Sequence, residues 1–255
     1  MRMSFTLYVK FLFLIVVFTT INTDLSAQRW KRTRYEVIAC TGPSFFMGEF
    51  GGSYKTGSHF LNDLDMQSTR FNLMVGARFK VQEKFALKMN MVFGRFYGSD
   101  KFTTNEERIK RGGTFKTSAF ETTFQAEYSL LKERFGTRYT FQYMKKFKFS
   151  HVNTYVFAGT GMLVFFPKTN YNYTFSTNKS TNYTPLALVF PIGIGFKYGI
   201  NRRYSLCIEI GQRYTTSDYI DGWSDWASKG KDAYGFILVG ITYKLKTARS
   251  GLPKF

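Results

Sequence analysis

Between residues 70 and 81 the chain reads RFNLMVGARFKV, an alternation with almost no error. Phe71, Leu73, Val75, Ala77 and Phe79 fall on one side; Arg70, Asn72, Met74, Gly76, Arg78 and Lys80 fall on the other. Side chains of a strand point alternately to opposite faces, so the segment is a strand with one apolar face. That face points inward in a soluble barrel and outward to lipid in a membrane barrel. Seven further segments share the period. They place strands near 34–47, 84–97, 115–131, 153–166, 185–199, 204–217 and 233–246, beside 69–81. Several reach the ~9–11 residues that a tilted strand needs to cross a bilayer, well beyond the ~5–6 of an ordinary globular strand.

The second faces decide between the two barrels. In LALVFPIGIGFKY, residues 186–198, Leu186, Leu188, Phe190, Ile192, Ile194, Phe196 and Tyr198 oppose Ala187, Val189, Pro191, Gly193, Gly195 and Lys197. Small and apolar groups make little sense facing water, but they suit a crowded barrel interior. In FETTFQAEY, residues 120–128, Glu121, Thr123, Gln125 and Glu127 form the second face. The apolar faces are therefore expected to point to lipid, with the 19% aromatic content supplying interfacial girdles. Connection lengths agree. The first, third, fifth and seventh (48–68, 98–114, 167–184 and 218–232) are long and polar, while the second and sixth, at 82–84 and 201–203, are tight. Long outer loops alternating with short periplasmic turns belong to outer-membrane barrels. The fourth connection, 132–151, departs from this by being long and basic. The expected fold is all-β: an eight-stranded antiparallel transmembrane β-barrel with both termini in the periplasm.

The first 27 residues read as a secretory signal: Arg2 and Lys10, the apolar run FLFLIVVF, then small residues before Gln28. Residues 28–255 form the expected barrel domain, placed in the cell outer membrane. A formal net charge of +19 would suit nucleic acid, anionic lipid or an acidic protein. Export argues against nucleic acid and leaves the last two.

Five stretches in order carry a family likeness: FFMGEFGG (45–52), the run from Thr69 to Asp100, FETTFQAEYSLL (120–131), YTTSDYIDGWSDW (214–226) and YGFILVGITYKLK (234–246). Together they resemble a family of small bacterial outer-membrane barrels that includes the PorG-like barrel component of the type IX secretion system. The resemblance covers nearly the whole mature chain. It implies a barrel that serves as a membrane anchor or assembly component of a secretion apparatus. The implied partners are outer-membrane lipids and a periplasmic lipoprotein or ring component. The family's Gly-Asp-Leu-Gly corresponds to Gly48-Glu49-Phe50-Gly51 here, and its Asp-Tyr-Leu-Asp-Asp-Val-Ser run to Asp218-Tyr219-Ile220-Asp221-Gly222-Trp223-Ser224. Gly48, Glu49, Asp218, Tyr219 and Asp221 are the loop positions that the likeness singles out.

An eight-stranded barrel is just wide enough for side chains to fill it. The inward faces offer Glu36, Glu121, Glu127 and Glu209 against Arg78, Lys88, Lys197 and Arg213. Such charges are costly unless paired, so they are expected to form a network that plugs the lumen. A proton or ion path is the competing reading. Catalytic groups are scarce. His59 and His151, the two histidines, are expected on opposite sides of the membrane, and His59 with Asp63 and Asp65 reads as a solvated loop. No enzyme activity, metal or other cofactor is expected. Cys40 and Cys207 are both expected to face inward, on strands one and seven. About 9–10 Å between those strands is too far for a disulfide, which leaves two free buried thiols.

The charge is expected to gather at one end. The four outer loops sum to −1, whereas residues 28–34, 80–84, 132–152, 201–204 and 244–255 together carry +16. Arg134, Arg138, Lys145, Lys146 and Lys148 stand in the long fourth connection. This rim reads either as basic side chains reaching lipid head groups or as a dock for an acidic periplasmic partner, and the two are compatible. The alternative function is a surface-facing barrel that binds a ligand through Trp223, Trp226, Tyr171, Tyr173 and Tyr183.

Overall fold

The computed structural model describes residues 29–47, 68–102, 109, 112–131, 152–170, 183–223, 231–248 and 250–254. Eight long strands follow in order: β1 (Tyr35–Met47), β2 (Arg70–Lys80), β3 (Phe85–Ser99), β4 (Thr114–Ser129), β5 (Val152–Asn170), β6 (Leu186–Gly199), β7 (Tyr204–Thr215) and β8 (Ala233–Thr247). Each pairs antiparallel with the next, and β1 pairs with β8 from Tyr35↔Leu245 to Met47↔Ala233, which closes the cylinder. The fold is a closed eight-stranded antiparallel β-barrel of the outer-membrane type. The signal segment expected at 1–27 lies outside the described residues.

The period of two became the wall. On β2, Phe71, Leu73 and Val75 are exposed on the outside, while Asn72 and Met74 are fully buried within. On β6, Leu186, Leu188, Phe190 and Ile192 are exposed, and Ala187 and Val189 are buried. An apolar outer wall around a polar and aromatic interior inverts the arrangement of a water-soluble protein, and only lipid makes it favourable. Rings pair on the wall toward both ends: Tyr35 with Phe79 and Tyr204 with Tyr243 near the termini, Phe93 with Phe120 toward the far end.

At the end that carries the termini, the connections are short because local hydrogen bonds reverse the chain at once. Val81 N–H donates to Phe85 O at 3.0 Å. Asn201 Oδ1 accepts from the amides of Arg203 and Tyr204, at 2.8 and 2.7 Å, as a turn asparagine does. Two small elements had no periodic signal. A 3-10 turn over Arg29–Thr33 precedes β1, and β9 (Pro253–Lys254) folds back on β8, with the turn between them at Gly251 in the left-handed region (φ 85°).

Candidate functional site

The lumen is filled in two layers. The layer nearer the termini is ionic. Arg78 on β2 sits at its centre, with its guanidinium 2.8 Å from Glu36 and 2.6 Å from Glu127. Lys88 on β3 meets Glu209 at 2.6 Å and Glu127 at 3.1 Å. Lys197 on β6 reaches Glu36 at 3.1 Å. Tyr155 accepts from Arg78 and donates to Glu209 at 2.7 Å, linking β5 into the same network. Farther from the termini, Tyr234 donates to Glu121 at 2.6 Å, and Arg213 lies 3.6 Å from that carboxylate and over the Phe236 ring. The structure thus brings Glu36, Arg78, Lys88, Glu127, Lys197 and Glu209 into one cluster and places Glu121 with Arg213 in a second. All eight are at least nine-tenths buried. Each is fixed there by an inward register position on a rigid strand.

The network also contains residues that the sequence reading placed elsewhere. Lys80 and Lys244 were expected in the basic rim, yet both are buried inside the barrel, and Lys80 lies 2.8 Å from Glu36. Both occupy inward positions at strand ends, where the neighbouring strands still extend far enough to cover them. Tyr155 and Tyr234 had only their inward phase to mark them, and a tyrosine in a membrane barrel reads first as a girdle residue. Their hydroxyls instead cap lumen carboxylates.

Around the Glu121–Arg213 pair, the far half of the lumen is largely apolar and aromatic. Phe96, Phe115, Phe165 and Phe236 pack with Ile38, Met74, Leu163 and Leu238 in one buried cluster. The connection after β7 closes this half from above. Ile220 is fully buried and Trp223 nearly so. Thr117 donates to the carbonyl of Ile220 at 2.6 Å and Thr169 to that of Asp221 at 2.7 Å, pinning the segment to β4 and β5. Asp232 accepts from Ile220 N–H at 2.8 Å, and Asp221 accepts from Trp223 N–H at 2.9 Å. Gly222 adopts φ 77° to make the tight return, a backbone region that favours glycine. Asp218 and Asp221, on a connection read as long and polar, are buried. Tyr219 stacks on Tyr183, which stacks in turn on Phe165. Trp223, named among the outer-loop aromatics of the alternative reading, is nearly buried within this segment.

Cys40 and Cys207 require a correction of another kind. Both are buried and free, on β1 and β7 as expected, but their sulfurs are 3.2 Å apart although two strand spacings, about 9–10 Å, separate the strands. Both stand opposite Gly240 of the intervening β8. A side chain at Gly240 would collide with the Cys40 Cα and Sγ, so its absence lets the two thiols lean across and touch. Strand spacing alone could not show this.

The remaining candidates separate by position. Arg134, Arg138, Lys145, Lys146, Lys148, Gly48 and Glu49 lie outside the described residues, as do His59, Asp63, Asp65, His151, Tyr171, Tyr173 and Trp226. Among the described residues no group of three or more His, Cys, Asp or Glu side chains could hold a metal ion. The four lumen glutamates are engaged by cations or hydroxyls, an arrangement that ties the strands together across the lumen.

No curated protein matches the chain by sequence. Several solved structures share its barrel shape. Neisserial surface protein A is 11% identical with a TM-score of 0.42, covering 82% of this chain and 96% of that one. The outer membrane protein OprG from Pseudomonas aeruginosa is 10% identical with a TM-score of 0.42, covering 84% and 97%. A major outer membrane protein from Thermus thermophilus is 11% identical with a TM-score of 0.41, covering 82% and 98%. These likenesses bear on no activity. The sequence profile described as "Domain of unknown function (DUF6089)" matches residues 52–236, from the first long loop into β8. With most of its length matched, the chain belongs to the DUF6089 family.

Proposed function

We propose that this barrel is a non-enzymatic anchor in the outer membrane that docks a periplasmic partner through its basic rim, as an assembly component of a type IX protein secretion apparatus. In this reading residues 1–27 direct export, and both termini and the short turns face the periplasm. The observation that carries the proposal is the combination of a filled lumen with a lopsided charge. Among the described residues ionic and aromatic layers fill the lumen, and this reading therefore gives function to the two ends. The far end is closed by the segment around Ile220 and Trp223. The terminal end concentrates the excess of basic residues, and residues 132–151 add six basic side chains against one acid where a membrane barrel needs only a short turn. The secretion assignment rests on the five stretches that resemble the type IX barrel. A surface-binding role is less favoured because Trp223 is nearly buried and Tyr183 is partly buried in its ring stack.

The test is co-purification from detergent-solubilised outer membranes, comparing the wild type with a variant in which Lys145, Lys146 and Lys148 are replaced by Gln. The variant should insert normally, seen as the same gel shift between unheated and boiled samples, while losing periplasmic proteins that wild type retains at low salt. Raising salt should weaken the wild-type association too, since exposed charges are screened beyond ~8 Å at physiological ionic strength. An identical partner profile for both proteins would leave lipid head groups as the role of the rim and remove the docking function.

A further inference from the structure

We infer that the outer wall of β3, β4 and β5, at the end opposite the termini, binds the phosphorylated head group of an outer-leaflet lipid. The inference takes one element from the proposed function, the orientation with both termini in the periplasm. Arg95, Lys116 and Lys168 stand on adjacent strands, point outward and are exposed. Lys116 lies directly opposite Lys168, and Arg95 lies opposite Ser118, two residues from Lys116 on the same face. Direct partners of this kind have Cβ atoms about 5 Å apart and diagonal ones about 7–8 Å apart. Like charges directly opposite each other destabilise a sheet. No acid offsets them from within these strands: Glu121 and Glu127 of β4 are buried in the lumen, and β3 and β5 contain no acid. An anion held between the two lysines removes the repulsion.

Position selects the ligand. Toward the membrane centre the same face turns apolar at once: Phe93 lies below Arg95 on β3, Phe120 below Lys116 on β4, and Phe166 and Val164 below Lys168 on β5. Phe93 and Phe120 pair their rings at 4.8 Å, and Phe120 and Phe166 are more than half exposed. A molecule that meets both surfaces together has acyl chains for the wall and an anionic head for the cations, which describes a membrane lipid. A soluble anion would leave the apolar surface unused, and a protein outside the membrane would not reach it. Phosphate suits the cations because its several oxygens accept charge-assisted hydrogen bonds from more than one donor. Lys116 and Lys168 hold one such group between them, and Arg95, a diagonal step away, reaches a second, so the preferred head group carries two phosphates. The cations are local to this sector. On the adjoining β6 the outward residues at the same end are Leu186, Leu188 and Phe190, so the wall does not present a uniform ring of basic residues.

The test is native mass spectrometry of the full barrel, released from uncharged detergent after incubation with diphosphoryl lipid A, a glycolipid with two phosphates. Phosphatidylglycerol, with one phosphate, is the comparison lipid, and inorganic phosphate is the competitor. One diphosphoryl lipid A should stay bound per barrel. The double variant Lys116→Gln, Lys168→Gln should weaken its retention about tenfold or more, the scale of two lysine contacts to an anionic lipid surface. The double variant Lys84→Gln, Arg202→Gln, at exposed positions near the termini, should leave retention unchanged. Should the first variant lose the gel shift of the folded barrel, Arg95→Gln provides the same test in the same direction. Undiminished retention by a folded variant of the three cations would overturn the site. Equal loss in the Lys84 and Arg202 variant would overturn it too, since attraction would then be general. Equal retention of phosphatidylglycerol, or displacement by inorganic phosphate at the lipid's own concentration, would likewise overturn it. An antibody tag appended after Phe255 should stay hidden in intact cells. A tag that is reached would overturn both the leaflet assigned here and the orientation in the proposed function, whereas loss of lipid specificity overturns this site alone.

Discussion

Replacing Ile192 by arginine should be among the most damaging single changes on the outer wall, and the same change at Leu186 should be nearly harmless. Both side chains point outward and are about half exposed, at 53% and 45%. They differ in depth. Ile192 lies midway between Leu186 and Tyr198, the outward residues toward the two ends of β6. Six residues at ~3.3 Å each, on a strand tilted ~40°, put either end about 15 Å from Ile192 along the membrane normal. That is half of the ~30 Å hydrocarbon thickness, so Ile192 sits at the midplane and Leu186 at the interface. Arginine costs roughly 2–4 kcal/mol at the midplane and about 0–1 near the interface. A difference of about 2–3 kcal/mol corresponds to ~30- to 150-fold in the unfolding equilibrium. Leu188, only two residues from the end of the strand, should fall between them. The assay is urea titration of each variant folded into lipid vesicles, scored by the fraction that keeps the compact, fast-migrating form on unheated gels. Equal penalties at Leu186 and Ile192, or a negligible penalty at both, would refute the lipid-facing assignment of this wall.

Two further outcomes follow from the lumen. Glu36→Gln removes the acid shared by Arg78, Lys80 and Lys197, leaving buried cations uncompensated, and should lower stability in the same urea titration by about 3–5 kcal/mol; a loss below about 1 kcal/mol would show that water or another acid compensates them. Reconstituted protein should give no steady porin-like current in planar bilayers, because the ionic layer, the aromatic layer and the segment of Ile220 and Trp223 obstruct the axis in series; stable single-channel conductance from the monomer would refute the plugged lumen.

The alternation of side chains is a local property of an extended backbone, and so it was legible in the sequence. It located the eight strands to within a few residues and sorted the eight lumen charges from the apolar wall, because lipid and a narrow interior impose opposite preferences on adjacent positions. What it could not carry was the meeting of residues far apart in the chain. Glu36 and Lys197 are 161 positions apart, and their contact depends on how the strands are offset around the closed barrel. The same closure covers Lys80 and Lys244 at strand ends that read as rim. Gly240 lets Cys40 and Cys207 touch across a strand, a matter of one missing side chain between two distant ones. The segment from Asp218 to Trp223 has no period at all, and it read only as part of a long polar connection. Its burial was decided by Thr117, Thr169 and Asp232, which satisfy its backbone groups from β4, β5 and the start of β8. Period reports which way a side chain points, while strand offset and loop anchoring, which are non-local, determine what it finds there.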